Sequence, residues 1–510
     1  MAMEKSGSKD RMHPLLFWTF AVLGLTAARV PYFLSPNRLL DGDEAVLGLM
    51  AMHTSTLSGF PLFYWGQAYG FSLPETVAAA MAYRLFGVSS LTLSAGVFAL
   101  FLLGLWLFEG GFRNLAGDRG WSRAIVLALG LLPAWIVWGF KARGGYLTAF
   151  VLAGLILRLV TARVFSRGRA VVAGLSVGLL FFAQPLWFAA FLPLLAMPFL
   201  PGAAESSWAE KVRLAALMLV SSLAAAAPIA IASSRHDSFW VPDVLGGATL
   251  HNLPLIPEAL FTSFTGFFYL GESWRPPLVV WAVAMACLLA CAVAVPALGA
   301  SCVRRRNGRT GLVALSLLAS ASVAFILADL PPRYLLQVSV ILATATAVWI
   351  GGQNAPFLRA QRAAAGIILL FLAAAAVSMA SFRPHHPTSD NDLEEEMAEL
   401  IAVLDGEGVE GVYSMDALLQ WQILFYGGEG IPARFASPVD RRPEYPRAVD
   451  EALAEGKTTA LVGTMLQAEP ILDTPLGHTL RPVGENYFVL LDPSRAFLDS
   501  IGFRFRGGPP

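Results

Sequence analysis

The chain has 510 residues, 36 Lys+Arg against 36 Asp+Glu, 56% hydrophobic side chains and only 14% charged ones. Soluble domains carry about 25% charged residues, so this composition excludes a single soluble globule, a disordered chain and a collagen-like one. The charge is also uneven: residues 1–381 hold 26 bases and 15 acids, whereas residues 382–510 hold 10 bases and 21 acids. That pattern predicts a polytopic membrane module over 1–381 and an acidic, water-soluble domain over 382–510.

In chain order, eleven apolar runs are candidates to cross a bilayer, which takes roughly 17–25 residues. They lie at Leu15–Leu34, Val88–Phe108, Ser122–Phe140, Tyr146–Val164, Ala170–Ala183, Pro185–Leu200, Val212–Ala232, Pro277–Ala300, Gly311–Ala328, Leu335–Ile350 and Ala363–Ser381. Pro185 favours a break between the fifth and sixth, because proline removes a backbone donor and kinks a helix. Thr26-Ala27-Ala28 loosely fits a signal-peptide cleavage site. The apolar stretch continues through Val30, Tyr32 and Phe33, which suits an uncleaved anchor better.

Alternate connections between these runs carry eighteen bases and only six acids, among them Arg113, Arg119, Arg158, Arg163, Lys211 and Arg304–Arg306. Basic loops stay in the cytoplasm. The N-terminus is therefore expected inside, and eleven crossings put the C-terminal domain outside. Cys287, Cys291 and Cys302 sit in or beside one apolar run without further ligands and read as packing residues.

The outer connections 35–87 and 233–276 are long, and Asp329–Arg333 is chemically odd. The first contains Asp41-Gly42-Asp43-Glu44-Ala45 just past the first run. A helix N-terminus is one reading, with Asp41 or Asp43 as cap and Glu44 in the first turn. A general base at the membrane surface is the other, since desolvation raises a carboxylate's proton affinity. The two are compatible. Next come Phe63-Tyr64-Trp65-Gly66-Gln67-Ala68-Tyr69-Gly70, then Pro74-Glu75-Thr76 and a short apolar segment ending at Gly87. That segment is too short to span and reads as a helix lying in the interface. The aromatics suit either a belt anchor or a sugar or lipid platform, with Gln67 and Tyr69 as hydrogen-bonding groups. Outer bases run against the sidedness rule, and Lys141, Arg143, Arg275 and Arg333 are such bases. Snorkelling to headgroups would offset their penalty, and so would binding a phosphate. No Walker loop is present, and neither a nucleotide nor a nucleic-acid partner is expected.

The acidic domain alternates helical and strand patterns, with helices at Asp392–Leu404, Asp416–Tyr426 and Tyr445–Ala454. Strands are expected at Gly411–Ser414, Ile431–Phe435, Thr458–Val462 and Tyr487–Leu491. A small α/β domain with a partly parallel sheet is expected. The preceding Phe382–Pro387 stretch reads as a polar hinge.

Three features together resemble the C-type (polytopic) glycosyltransferases. They are Asp43-Glu44-Ala45 after the first span, the Phe-Tyr-Trp-Gly-Gln-Ala-Tyr stretch running to Leu85-Phe86-Gly87, and the late Pro-Pro-Arg333-Tyr334-Leu-Leu. In style they are similar to the bacterial protein-mannosyltransferase and aminoarabinose-transferase branches. The resemblance implies a multi-pass enzyme of the bacterial inner membrane with a polyprenyl-phosphate sugar as donor. The acceptor would be extracytoplasmic, and displacement would proceed with inversion. It places Asp43 as base with Glu44 beside it, while a third acid, Asp41, leaves the choice among the three open. Arg333 is the expected donor-phosphate ligand, helped by Lys141, Arg143 and Arg275. Asp41, Gln67, Tyr69, Glu75 and Tyr334 are the expected substrate contacts. No cofactor is expected, and metal dependence varies in this superfamily. The rival classes are a transporter or flippase, which would need ionisable residues near the bilayer midplane, and a non-catalytic assembly or sensor protein.

Overall fold

The computed structural model describes residues 13–34, 39–67, 70–200, 207–234, 251–266, 276–305, 307–322, 327, 330–353, 355–379, 393–437, 440–472, 477 and 479–505. Helices occupy all eleven apolar runs. Five of the described helices are long and apolar enough to cross a membrane, at Ser90–Ala116, Trp208–Ala232, Leu278–Arg304, Pro332–Gly351 and Gln361–Ser378. The others are shorter or broken. The break at Gln184–Pro185 is present, with Gln184 extended and Pro185 opening the next helix. A second break separates Arg119–Leu131 from Pro133–Trp138.

The second break has a visible compensation. Pro133 frees carbonyls of the preceding turn, and the fully buried Arg29 takes up one of them, that of Gly130. Its guanidinium donates to the carbonyls of Leu25, Gly130 and Trp135 at 2.8, 2.8 and 2.9 Å and lies against the Phe98 and Phe101 rings. Beside it, Phe101, Phe108, Trp135, Phe150 and Trp187 form a buried aromatic cluster.

The connection between the first two apolar runs contains two helices, Gly42–Ser55 and Leu73–Phe86. The second exposes Met81, Leu85 and Phe86, an apolar edge that suits a helix lying in the interface. The C-terminal sheet holds β1 (Gly411–Ser414), β2 (Ala433–Arg434), β3 (Thr459–Thr464), β4 (Arg481–Val483) and β5 (Tyr487–Leu491) in the order β2-β1-β3-β5-β4. The first three are parallel, and β4 and β5 form an antiparallel hairpin. Strand β4 begins with two exposed residues, which left no apolar pattern to read.

The sheet is two-faced, as a period of two requires. Val412, Ala460, Val462, Tyr487 and Val489 point into the core that runs on into the membrane helices. Tyr413, Leu461, Phe488 and Leu490 point into a separate cluster closed by Leu498 and Phe503. The helix Leu419–Tyr426 lies between sheet and bundle and packs on Gly42–Ser55. That approach demands small residues. A Cβ on Gly42 would come within 2.7 Å of the Leu418 backbone, and one on Gly48 within 2.5 Å of the Phe425 ring.

Candidate functional site

Asp41 caps the Gly42–Ser55 helix. Its side chain accepts from the Glu44 N–H at 2.8 Å, and the Glu44 carboxylate accepts from the Asp41 N–H at 3.2 Å. The three acids thus have different fates, set by position in the first turn. Asp41 and Glu44 face each other across the cap, and Asp43, between them, projects elsewhere.

The short connection Phe140–Gly145 brings two cations beneath this turn. Lys141, 2% exposed, sits 2.8 Å from Asp41 and 2.9 Å from Glu44. Arg143 bonds Asp41 at 3.2 Å and Asp43 at 2.5 Å. A third cation arrives from the C-terminal segment: both Nη atoms of Arg441 lie 3.2 Å from Asp43 Oδ1. The Tyr64 hydroxyl, with one proton, reaches the same oxygen at 3.0 Å and the Asp43 backbone carbonyl at 2.9 Å, and it accepts from Arg441 at 2.9 Å. Three acids against three bases leave this turn close to neutral.

Electrostatics separate the acids further. Burial pushes the Asp43 carboxyl up, but Arg143 and Arg441, aided by the Tyr64 hydroxyl, outweigh it and hold it below the usual carboxylate range. For Glu44 burial prevails over Lys141, and its carboxyl is pushed up. Asp43 therefore stays charged wherever the protein is folded near neutrality.

Asp43 opens onto a cavity of about 90 Å³ lined by Tyr64, Gln67, Arg143, Gly144, Tyr146, Gln184, Arg333 and Tyr334. Arg333 and Tyr334 belong to a tight turn, Pro332–Leu335, with the guanidinium 5.1 Å from the Tyr334 ring. A larger cavity of about 590 Å³ lies alongside, walled by His53, Phe60, Phe63, Trp65, Arg441 and Arg442, and it shares Tyr64 and Gln67 with the smaller one.

Of the residues singled out from sequence, Asp43, Gln67, Arg143, Arg333 and Tyr334 come together around one cavity. Asp41 sits behind them as cap. The other singled-out residues stand apart from this cavity or outside the described residues. Lys141 is held beneath the cap by Asp41 and Glu44 and does not line the cavity. Glu75 is fully buried and accepts from the Gly145 and Thr148 N–H groups at 3.2 and 2.8 Å. It thereby satisfies the amides that open the Tyr146–Val160 helix rather than touching substrate. Burial raises its carboxyl to about 7, with the amides of Thr148, Gly145 and Leu147 partly opposing. Glu44, 5% exposed, is locked to Lys141 and stands away from the cavity lining. Tyr69 and Arg275 lie outside the described residues. Sequence reasoning missed Arg441, Tyr146 and Gln184. The adjacent bases Arg441 and Arg442, before a proline in an otherwise acidic domain, were the one available signal.

No protein-family model and no curated protein matches the sequence. Solved structures do match. ArnT from Cupriavidus metallidurans bound to undecaprenyl phosphate superposes with a TM-score of 0.57 at 15% identity, over 94% of this chain and 98% of that one. Its apo state gives 0.57 at 16% identity, over 96% and 99%. The apo oligosaccharyltransferase of Archaeoglobus fulgidus gives 0.50 at 14% identity, over 90% of this chain and 70% of that one. The likeness is one of fold, shared over most of this chain with ArnT and with the oligosaccharyltransferase.

Proposed function

We propose that this protein is a membrane glycosyltransferase that moves a monosaccharide from a polyprenyl-phosphate donor to an acceptor hydroxyl or amine on the outer face of the bacterial inner membrane. The carrying observation is the cavity that Asp43 and Arg143 share with Arg333 and Tyr334. A carboxylate and two guanidiniums converge there from segments far apart in sequence. A lipid-linked donor needs that arrangement: cations for its phosphate and a carboxylate for the incoming nucleophile. ArnT, which shares the fold, has been solved bound to undecaprenyl phosphate, and this supports a polyprenyl phosphate here.

In the proposed reaction the acceptor oxygen or nitrogen attacks the anomeric carbon from the face opposite the phosphate. The bond from that carbon to the phosphate oxygen breaks with inversion. The acceptor's proton passes to Asp43, and the leaving polyprenyl phosphate keeps the bonding pair as an anion. Arg333, with its two-pronged donor set, takes that charge together with Arg143. Tyr334 and Gln67 serve as sugar or headgroup contacts. Eleven crossings, an inside N-terminus and an outside C-terminal domain over residues 382–510 complete the proposal. They place Asp43 and Arg441 on the same, outer side.

The test is a mass measurement of lipid-linked sugars in cells with and without the gene. A polyprenyl-phosphate sugar that accumulates in its absence, and falls again when the wild-type gene is restored, identifies the donor. An unchanged pool overturns the proposal.

A further inference from the structure

The Asp43 carboxylate has an asymmetric environment. Among the described residues, Oδ1 accepts from Tyr64 and both Nη atoms of Arg441, and Oδ2 accepts from Arg143. A carboxylate offers about four lone-pair sites, two on each oxygen, so Oδ1 is saturated and Oδ2 is not. We propose that Arg441, reaching in from the C-terminal segment, is the positioning residue of Asp43: together with Tyr64 it occupies Oδ1, fixes the carboxylate's rotation and leaves Oδ2 as the oxygen that receives the acceptor's proton. The proposal rests on the glycosyltransferase reading above.

The local build supports a fixed role. The stem of Arg441 lies on Gly66, where a Cβ would come within 2.4 Å of its Cγ. Its guanidinium lies 5.2 Å from the Tyr64 ring and 5.9 Å from the Trp421 ring. Its own N–H is held by Asp440, whose other oxygen accepts from Gln420 at 2.8 Å. Arg441 is thus braced by the first outer connection on one side and by the Leu419–Tyr426 helix on the other. It also walls the 590 Å³ cavity, while Oδ2 and Arg143 face the smaller cavity that Asp43 lines. The charged or titratable groups around Asp43 are Asp41, Glu44, Tyr64, Lys141, Arg143, Tyr146, Arg333, Asp440, Arg441 and Arg442. Of these, Arg143, Arg441 and Tyr64 favour its charged form and Asp41 opposes it.

Full-length protein in detergent micelles is treated with a water-soluble carbodiimide and an amine across a pH series, and labelling at Asp43 is read by tandem mass spectrometry. Carbodiimide captures the protonated carboxyl, so the labelling midpoint reports its titration. In Arg441→Gln the Asp43 midpoint should rise by about one pH unit or more, the size of effect of a neighbouring charge. In Arg441→Lys it should stay near wild type. Turnover of the donor identified above should fall roughly tenfold in kcat for Arg441→Gln, with the donor KM unchanged, and recover in part in Arg441→Lys. An unmoved midpoint in Arg441→Gln overturns the positioning role whatever the activity does. A shifted midpoint in a protein that consumes no polyprenyl-phosphate sugar upholds the contact and overturns the enzymatic reading on which the role depends.

Discussion

Both ends of the Gly42–Ser55 helix touch the C-terminal segment, and the two contacts differ in depth. At the N-terminal end Asp41, Asp43 and Glu44 meet Lys141, Arg143 and Arg441, with side-chain exposures from 2% for Lys141 to 29% for Arg441. At the C-terminal end His53 meets Glu429 at 3.0 Å, with both side chains about a quarter exposed, and Tyr445 bonds the same carboxylate. Water reaches both partners of the second contact, whereas at the first it reaches Arg441 but scarcely touches Lys141. An exposed pair contributes about 0–1 kcal/mol, whereas removing one partner of a buried pair costs about 3–5 kcal/mol, because the other charge is stranded. Chemistry is therefore expected at the N-terminal end, where a charge is held without water, and mere attachment at the other.

The strongest test of this contrast is Asp43→Asn. Asparagine keeps the size and can still accept from Tyr64, but it cannot take a proton near neutrality. Turnover should fall by about 10²–10⁴ while the protein still inserts and elutes as a single species. Wild-type turnover would remove the acidic turn from the reaction. Lys141→Met comes next and acts on stability: Asp41 and Glu44 lose their shared cation in a buried place, at about 3–5 kcal/mol. Tryptophan fluorescence during thermal unfolding in micelles should show a clear drop in midpoint. Arg333→Lys replaces a fork by a point charge. Loss of one charge-assisted hydrogen bond should weaken donor use roughly tenfold with expression unchanged. A membrane anchor would tolerate the change.

Glu75 tests burial without any cation. Its folded carboxyl titrates at about 7 against an ordinary 4.5, so between those values the folded protein binds more protons than the unfolded one. Stability from this group therefore rises as pH falls from about 7 towards 4.5, the opposite of a salt-bridged acid such as Asp43. Glu75→Gln, whose amide oxygen still caps the Tyr146–Val160 helix, should flatten that part of the unfolding midpoint against pH. The smallest effect belongs to the exposed end: Glu429→Gln should change stability by less than about 1 kcal/mol. A loss comparable to that in Lys141→Met would erase the contrast between the two ends.

The sequence is most informative where a motif and a membrane rule coincide. Asp43 and Arg333 stand out as charges at the mouths of apolar runs, and they line one cavity. The alternation of Tyr487, Phe488, Val489 and Leu490 makes a strand legible, but not that one of its faces would share a core with the membrane helices. Lys141 and Arg143 look alike in sequence. Only the fold shows that one lies beneath the cap and the other at the cavity. Glu75 resembles a substrate contact until its two amide donors, 70 and 73 residues away, are seen. Arg441 lies 398 residues from Asp43, and no local pattern reports a partner at that distance. What escaped the sequence is tertiary pairing of charges, because a charge has no periodicity.

That separation also has a temporal meaning. A chain is made from its N-terminus, so the capped turn at Asp41 and its neighbours at Lys141 and Arg143 exist while much of the protein is still on the ribosome. Arg441 follows the last apolar helix, and Leu418 can settle on Gly42 only after that helix has been released. The carboxylate formed first thus waits for a guanidinium formed nearly last. A half-made chain therefore carries the acids of the turn before Arg441 can pair with Asp43.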